Sequence, residues 1–191
     1  MRILDAARGL FVDRGYSGAT LEAIAEDAGV ATETVFSVFG NKRTILASLV
    51  QIAVAGDTQP IPLLRRPGPR AVLNESDPVR KLELFAHDMA SILERVSPLF
   101  EVMRMAAKTE PEIAELLHGL LEDRLRTLGR FVHNLASHGP LRKGLNQRQA
   151  GEIVWAMTSP ELFNLLIADR GWSSDRYVRW LGDALIRLLL P

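Results

Sequence analysis

A chain of 191 residues, 47% hydrophobic and 24% charged, is long enough to bury one or two cores. Its 23 basic and 23 acidic residues cancel, which argues against a coat for polyanions, and the lack of cysteine removes disulfide frameworks, thiolate metal sites and cysteine nucleophiles. Arg2, Asp5 and Arg8 interrupt any secretory apolar core, and the apolar tail 184–190 is short and contains Arg187, so a cytoplasmic protein with no membrane contact is expected.

The first helix is predicted from about Arg2 to Arg14, with Ile3, Ala7, Leu10 and Phe11 on its buried stripe and Gly15 placed to end it. In TLEAIAEDAGV, Leu21, Ile24, Ala25 and Ala28 recur at the i, i+3, i+4 and i+7 positions of a short helix capped by Thr20. Gly29 sits where the chain must leave that helix with positive φ, and Val30 returns an apolar side chain to the core. A second short helix follows, with Val35 and Phe39 inward and Thr32, Glu33, Thr34 and Ser37 outward. A small polar face on a short helix, held by a buried stripe and a glycine turn, fits a DNA major groove. Asn41 then caps a helix carrying Ile45, Leu49, Ile52 and Ala53 on one face. Lys42 beside that helix N-terminus is placed for a phosphate, with a solvated surface lysine as the alternative.

The segment from Arg2 to Val50, with IAEDAGV, then TVFSVFGNK, then an apolar helix, resembles the DNA-binding domain of the TetR family of bacterial transcriptional regulators. The likeness extends loosely over the rest of the chain. It implies an all-α protein: a three-helix helix-turn-helix domain over residues 1–46, then a larger helical bundle over residues 47–191 for ligand binding and dimerisation. It also implies that Lys42 contacts the DNA backbone. Three positions depart from the family pattern: Ala31 replaces a serine cap, Phe36 replaces a phosphate-binding tyrosine, and Val38 stands where an aromatic residue is common. The candidate DNA-binding residues are Thr20, Thr32, Glu33, Thr34, Phe36, Ser37, Asn41, Lys42 and Arg43. Thr32, Thr34 and Ser37 have hydroxyls to donate, and Glu33 either accepts from a cytosine amino group or assists its own helix N-terminus. Residues 1–50 hold five basic residues against six acidic ones, a net of −1, which opposes DNA binding unless the acids face away.

Residues 56–77 hold Pro60, Pro62, Pro67 and Pro69, with Pro78 next, and read as a linker with one helical turn around Arg70 to Leu73. Arg65, Arg66 and Arg70 are expected as solvated loop charges. Asp77-Pro78 and Ser97-Pro98 each pair an N-cap type with proline at a first helical position, and Thr109-Glu110-Pro111-Glu112 opens a long helix with capping-box spacing. That helix places Ile113, Leu117, Leu120, Leu121, Leu128, Phe131, Val132 and Leu135 on its apolar side, and Gly139-Pro140 ends it. No strand-like alternation appears.

Candidates to line an effector cavity are Phe85, His87, Met89, Phe100, Met103, His118, Leu121 and Trp155, a mostly apolar set with a few polar groups; core packing is the alternative for each. Between Ile153 and Ile167, with a restart at Ser159-Pro160, and between Tyr177 and Leu190, apolar residues cover more than one stripe, which calls for two packing partners. Trp155, Leu162, Leu166, Trp180, Leu181, Leu185 and Leu188 are therefore expected in a homodimer interface, as the resemblance also implies. Glu115, His118 and Glu122 share a helix face, but no second Glu-x-x-His helix completes a metal site. No cofactor is expected, and no nucleophile elbow or phosphate loop points to an enzyme. The reading is a dimeric regulator, a repressor of a palindromic double-stranded DNA operator released by a small-molecule effector. The alternative is a helical small-molecule-binding or interaction protein that has lost operator binding.

Overall fold

The computed structural model describes residues 2–191, all helix and connecting loop with no strand among them. The helices are α1 (Arg2–Gly18), α2 (Leu21–Ala28), α3 (Thr32–Phe39), α4 (Lys42–Ala55), α5 (Pro67–Asn74), α6 (Pro78–Ala106), α7 (Pro111–Ala136), α8 (Gln147–Met157), α9 (Pro160–Asn164) and α10 (Ser174–Leu189). Two compact units form: Met1–Thr58 with Arg95–Gly119, and Gln59–Glu94 with Leu120–Pro191.

In the first unit α1 packs on α2 and α4, α2 on α3, and α3 on α4. Ala7, Phe11, Ile24, Val35, Ile45 and Leu46 have no accessible surface, each large side chain among them contributing about 1.5–3 kcal/mol by leaving water. The boundaries follow local chemistry. Thr20 Oγ1 accepts from the Ala23 N–H at 3.1 Å, and Asn41 Oδ1 accepts from the Thr44 N–H at 2.9 Å. Gly29, at φ 64° and ψ 42°, ends α2, and the N–H groups of Gly29 and Val30 return to Glu26 and Ala25 carbonyls. Gly15 breaks the regular geometry of α1 at φ 70° as expected, but one further turn runs on to Gly18.

Three expectations need correction. Pro98 does not begin a helix: it lies inside the 29-residue α6. A proline there removes a backbone donor, a cost of about 3 kcal/mol. Burial of Val96, Leu99, Phe100 and Met103 around it offsets the loss. The proline-rich stretch is more structured than a linker, with a 3-10 turn at Leu63–Arg65 and an eight-residue α5 whose first residue is Pro67. Arg66 is buried, its Nε donating to the Ile61 carbonyl at 3.2 Å and its Nη2 to the Gln59 carbonyl at 3.0 Å; Arg65 and Arg70 are exposed as expected. The capping box foreseen at Thr109 is replaced by its hydroxyl donating back to the Ala106 carbonyl at 3.4 Å.

In the second unit α8 packs on α10, and Leu82, Leu135, Val154, Tyr177, Leu181 and Leu185 are fully buried. Lys81 is also buried; its Nζ donates to Asn134 Oδ1 and lies 3.4 Å from His138 Nδ1, tying the start of α6 to the end of α7. Burial holds its ammonium below the usual lysine range, with Glu75 pulling the other way. Ser159 Oγ caps α9, which restarts at Pro160 as its sequence requires and continues as a π-helical turn over Leu165–Asp169.

Candidate nucleic-acid interface and effector site

On α3 the side chains advance by 100° per residue, so Val35 at the centre of the buried face sets everything else. Val35 is fully buried, and Thr32 and Phe39, both to one side of it, are half-buried. Opposite lies Ser37 between Glu33 and Thr34, all exposed and without an intramolecular partner among the described residues. On the two edges of this polar ridge stand Phe36, 63% exposed, and Val38, 61% exposed. Val38 was outside the expected contact set; its signal was its place between Ser37 and Phe39 on the unburied side. Ala31 puts no side chain on the N-terminus of α3; the Thr34 N–H donates to the Ala31 carbonyl at 3.0 Å, which leaves the N–H groups of Thr32 and Glu33 for an external acceptor.

The flanking candidates are more engaged. Thr20 and Asn41 are spent as caps, Asn41 Oδ1 also accepting from Thr44 Oγ1 at 3.1 Å. Lys42 Nζ donates to the Tyr16 carbonyl at 2.8 Å and sits 4.4 Å from the Tyr16 ring centroid, so one of its three donors is committed inside the unit. Burial lowers its pKa, opposed by Glu110 and Glu22. Tyr16, stacked on Phe11, has its pKa raised by burial, then by Glu110 and Glu112, with Arg43 opposing. At the other end of α4, Arg95 Nε donates to the Ala53 carbonyl at 2.8 Å, while Arg8 Nη2 donates to the Arg95 carbonyl at 3.2 Å. A residue of α6 thus holds the last turn of α4 and the middle of α1.

The effector candidates do not converge as one set. In the second unit, Phe85 and Met89 line a cavity of about 80 Å³ with Leu63, Leu64, Val72, Ile92, Leu128 and Phe131. Phe85 stacks on Phe131 at 4.0 Å. His87 is exposed in a separate groove between α6 and α10 that also holds Arg80, Glu83, Arg179 and Asp183. Leu121 and Trp155 are half-buried; in the first unit Phe100 and Met103 are buried and His118 is exposed.

Sequence reading passed over Arg124, which occupies the apolar register of α7 between Leu121 and Leu128. Its Nη2 donates to the Trp155 carbonyl at 2.6 Å and to Thr158 Oγ1 at 2.7 Å, and its guanidinium lies 5.3 Å from the Trp155 ring centroid. A charge at a core spacing was the signal available. Tyr177, also unforeseen, is fully buried with its hydroxyl unpartnered, and Trp155 Nε1 is likewise inaccessible and unpartnered. Each such group costs about 1–3 kcal/mol. Burial pushes the Tyr177 hydroxyl pKa far up, with Arg124 opposing. A raised folded pKa keeps the proton on the folded chain, so the stability it carries below pH 10.0 is lost as pH climbs above that value. In urea melts above pH 10.0 a Tyr177→Phe variant is therefore expected to lose less stability than the wild type; parallel slopes would contradict this burial.

Leu181 and Leu185 have no accessible surface within one chain and so are core, not interface, because a side chain already enclosed has no area to offer a partner. Trp155, Leu162, Leu166 and Trp180 are half-exposed, and Leu188 is 38% exposed beside Leu145, Ile153 and Ala156 in an open depression. Glu115, His118 and Glu122 are exposed along α7. No helix of the described residues is long and apolar enough to cross a membrane.

Residues 3–49 match the family profile described as bacterial regulatory proteins, tetR family. The chain is 29% identical over 176 residues to the HTH-type transcriptional repressor BepR of Brucella suis, covering 89% of this chain and 81% of that one. Among solved structures it is similar to the regulator FadR of Bacillus subtilis in complex with stearoyl-CoA, at 20% identity and TM-score 0.76 over 97% of each chain. It is also similar to NalD, the secondary repressor of the MexAB-OprM multidrug efflux pump in Pseudomonas aeruginosa, at 24% identity and TM-score 0.72, covering 99% of this chain and 94% of that one. The two structural likenesses establish the fold.

Proposed function

We propose that this chain, whose residues 3–49 match the tetR family profile, is a ligand-responsive DNA-binding repressor of that family and not an enzyme. The observation that carries this reading is the polar ridge of Glu33, Thr34 and Ser37 on α3, exposed and without an intramolecular partner. α3 enters the major groove, Thr34 and Ser37 donate to base edges or phosphates, and Phe36 and Val38 meet thymine methyls and sugars at the groove walls. The uncapped N-terminus of α3 and Arg43 hold the backbone, with the two remaining donors of Lys42.

Two copies join through the part-exposed faces of α8, α9 and α10, Leu162, Leu166, Trp180 and Leu188 among them. Their reading heads then meet a palindromic operator about one helical turn apart, roughly 34–36 Å. The protein works in the cytoplasm, where its operator is. The effector fills the cavity at Phe85 and Met89 and binds the DNA-free arrangement better, as any ligand that releases DNA must. Because α6 also carries Arg95, a displacement of this helix reaches the Ala53 carbonyl at the end of α4. At about 80 Å³ the cavity is far below the 300–1,000 Å³ of pockets that enclose drug-sized ligands. An effector of that size enters only if α5 moves off α6 and α7.

Mobility shift of a duplex from the chain's own upstream region tests the reading: retardation at low salt is expected, and none would remove it. A second reading, a bundle that has lost its operator, draws on the net of −1 across residues 1–50. The two separate at Glu33, the one carboxylate on the ridge. A Glu33→Gln variant is expected to bind random-sequence duplex about threefold or more tighter at about 50 mM salt, the gain shrinking at about 200 mM. Fluorescence anisotropy measures this, and an unchanged affinity would place the ridge away from DNA.

A further inference from the structure

α3 carries no arginine, lysine, asparagine or glutamine. Those are the side chains that grip a purine from the major groove: Arg and Lys at guanine O6 and N7, Asn and Gln at adenine N6 and N7. The nearest amide is Asn41, and its Oδ1 already accepts from the Thr44 N–H and from Thr44 Oγ1, so no lone pair is left for an adenine amino group. Lys42 and Arg43 belong to α4, and Lys42 Nζ is partly committed to the Tyr16 carbonyl. Glu33 can only accept, so it makes no bond to guanine O6 or N7.

The other thing α3 offers is apolar surface. Phe36 is the most exposed large apolar side chain among the described residues, and Val38 is nearly as open. At 100° per residue they stand on opposite edges of the free face, each one turn from a polar neighbour, Phe36 beside Glu33 and Val38 beside Thr34. Phenylalanine has no hydroxyl to give a phosphate. In the major groove the apolar feature a base presents is the C5 methyl of thymine, next to an O4 acceptor within the chemistry of a threonine hydroxyl. We propose that the chain recognises its operator by thymine methyl groups seated against Phe36 and Val38, and not by paired hydrogen bonds to guanine or adenine. The proposal rests on the DNA-binding reading above and names the class of sequence involved, half-sites with thymines under both edges of α3. Hydroxyls bond to either kind of base, so Thr34 and Ser37 anchor the helix and add little preference.

The probe is the chain's own upstream region, amplified with dTTP, with dUTP in its place, which deletes every thymine methyl, or with 7-deaza-dGTP in place of dGTP, which deletes the guanine N7 acceptor. In mobility shift the wild type is expected to bind the uracil duplex about tenfold or more weakly than the thymine duplex, since each methyl left in water is worth about fourfold. The 7-deazaguanine duplex is expected to bind within about threefold of the natural one. Because the lost contact is apolar, the ratio of thymine to uracil affinities holds between about 50 and 200 mM salt while both affinities fall. Phe36→Ala and Val38→Ala, each altered at an exposed position, are expected to melt like the wild type and to shrink that ratio about fourfold or more. Equal binding of the thymine and uracil duplexes by the wild type would overturn the proposal, as would a 7-deazaguanine penalty as large as the uracil one. A ratio unchanged in both variants would also overturn it, by assigning the uracil penalty to duplex shape. Equal retardation of all three duplexes ends the proposal and leaves the repressor reading standing, whereas retardation of none ends both.

Discussion

A Ser37→Glu variant is expected to melt at the wild-type temperature and to bind its operator about 100-fold or more weakly. Ser37 is exposed at the centre of the free face of α3 and has no partner to lose, so the folded chain tolerates a longer, charged side chain there. On a duplex the same carboxylate would stand in the groove between two rows of phosphates. Like charges brought together at an interface cost several kcal/mol, and about 2.7 kcal/mol already makes a factor of 100. Thermal melts followed by circular dichroism read the first half of the expectation, and anisotropy with labelled operator reads the second. Affinity within threefold of wild type would show that α3 does not face DNA. A fall in melting temperature of several degrees would mean that the loss came from the fold.

Val35→Asp inverts that pattern. Val35 is the buried residue of α3 and has no accessible surface, so its side chain fastens the reading helix to α2 and α4. An aspartate at that position either carries an unpaired charge into the core or pulls α3 off its support, and the first unit is expected to lose about 4 kcal/mol or more. The three tryptophans, Trp155, Trp172 and Trp180, all lie in the second unit, which gives each unit its own signal. In urea the helical signal at 222 nm is expected to fall in an early step that the tryptophan fluorescence does not share. DNA binding disappears with that step. A single coincident transition at the wild-type midpoint would show that α3 does not depend on Val35. Positions 35 and 37 thus separate the two demands on one short helix: one face holds it in place, and the other is kept for the groove.

Much of this architecture was legible before any coordinates, because helix boundaries depend on chemistry within a turn of the chain. Thr20, Asn41 and Ser159 stand within three residues of the N–H groups they cap, and Gly29 takes the left-handed conformation that its neighbours cannot adopt cheaply. The exposed ridge of α3 was legible for the same reason, since an eight-residue helix with one buried stripe leaves little freedom for the rest. Side-chain use over long separations was not. Pro98 carries every local mark of a helix start, yet the burial of Val96, Leu99 and Met103 runs the helix through it. Lys42 reads as a lysine turned to a phosphate beside a helix N-terminus, yet it bonds to a carbonyl 26 residues earlier. Leu181 and Leu185 look identical in sequence to residues that face a partner, and only enclosure by their own chain sorts them into the core. Arg124 meets Trp155 and Thr158 across 31 and 34 residues, contacts that no period or motif encodes. Capping and turn energies are local and can be read from neighbours, whereas burial and long-range pairing depend on which surfaces meet once the helices have packed.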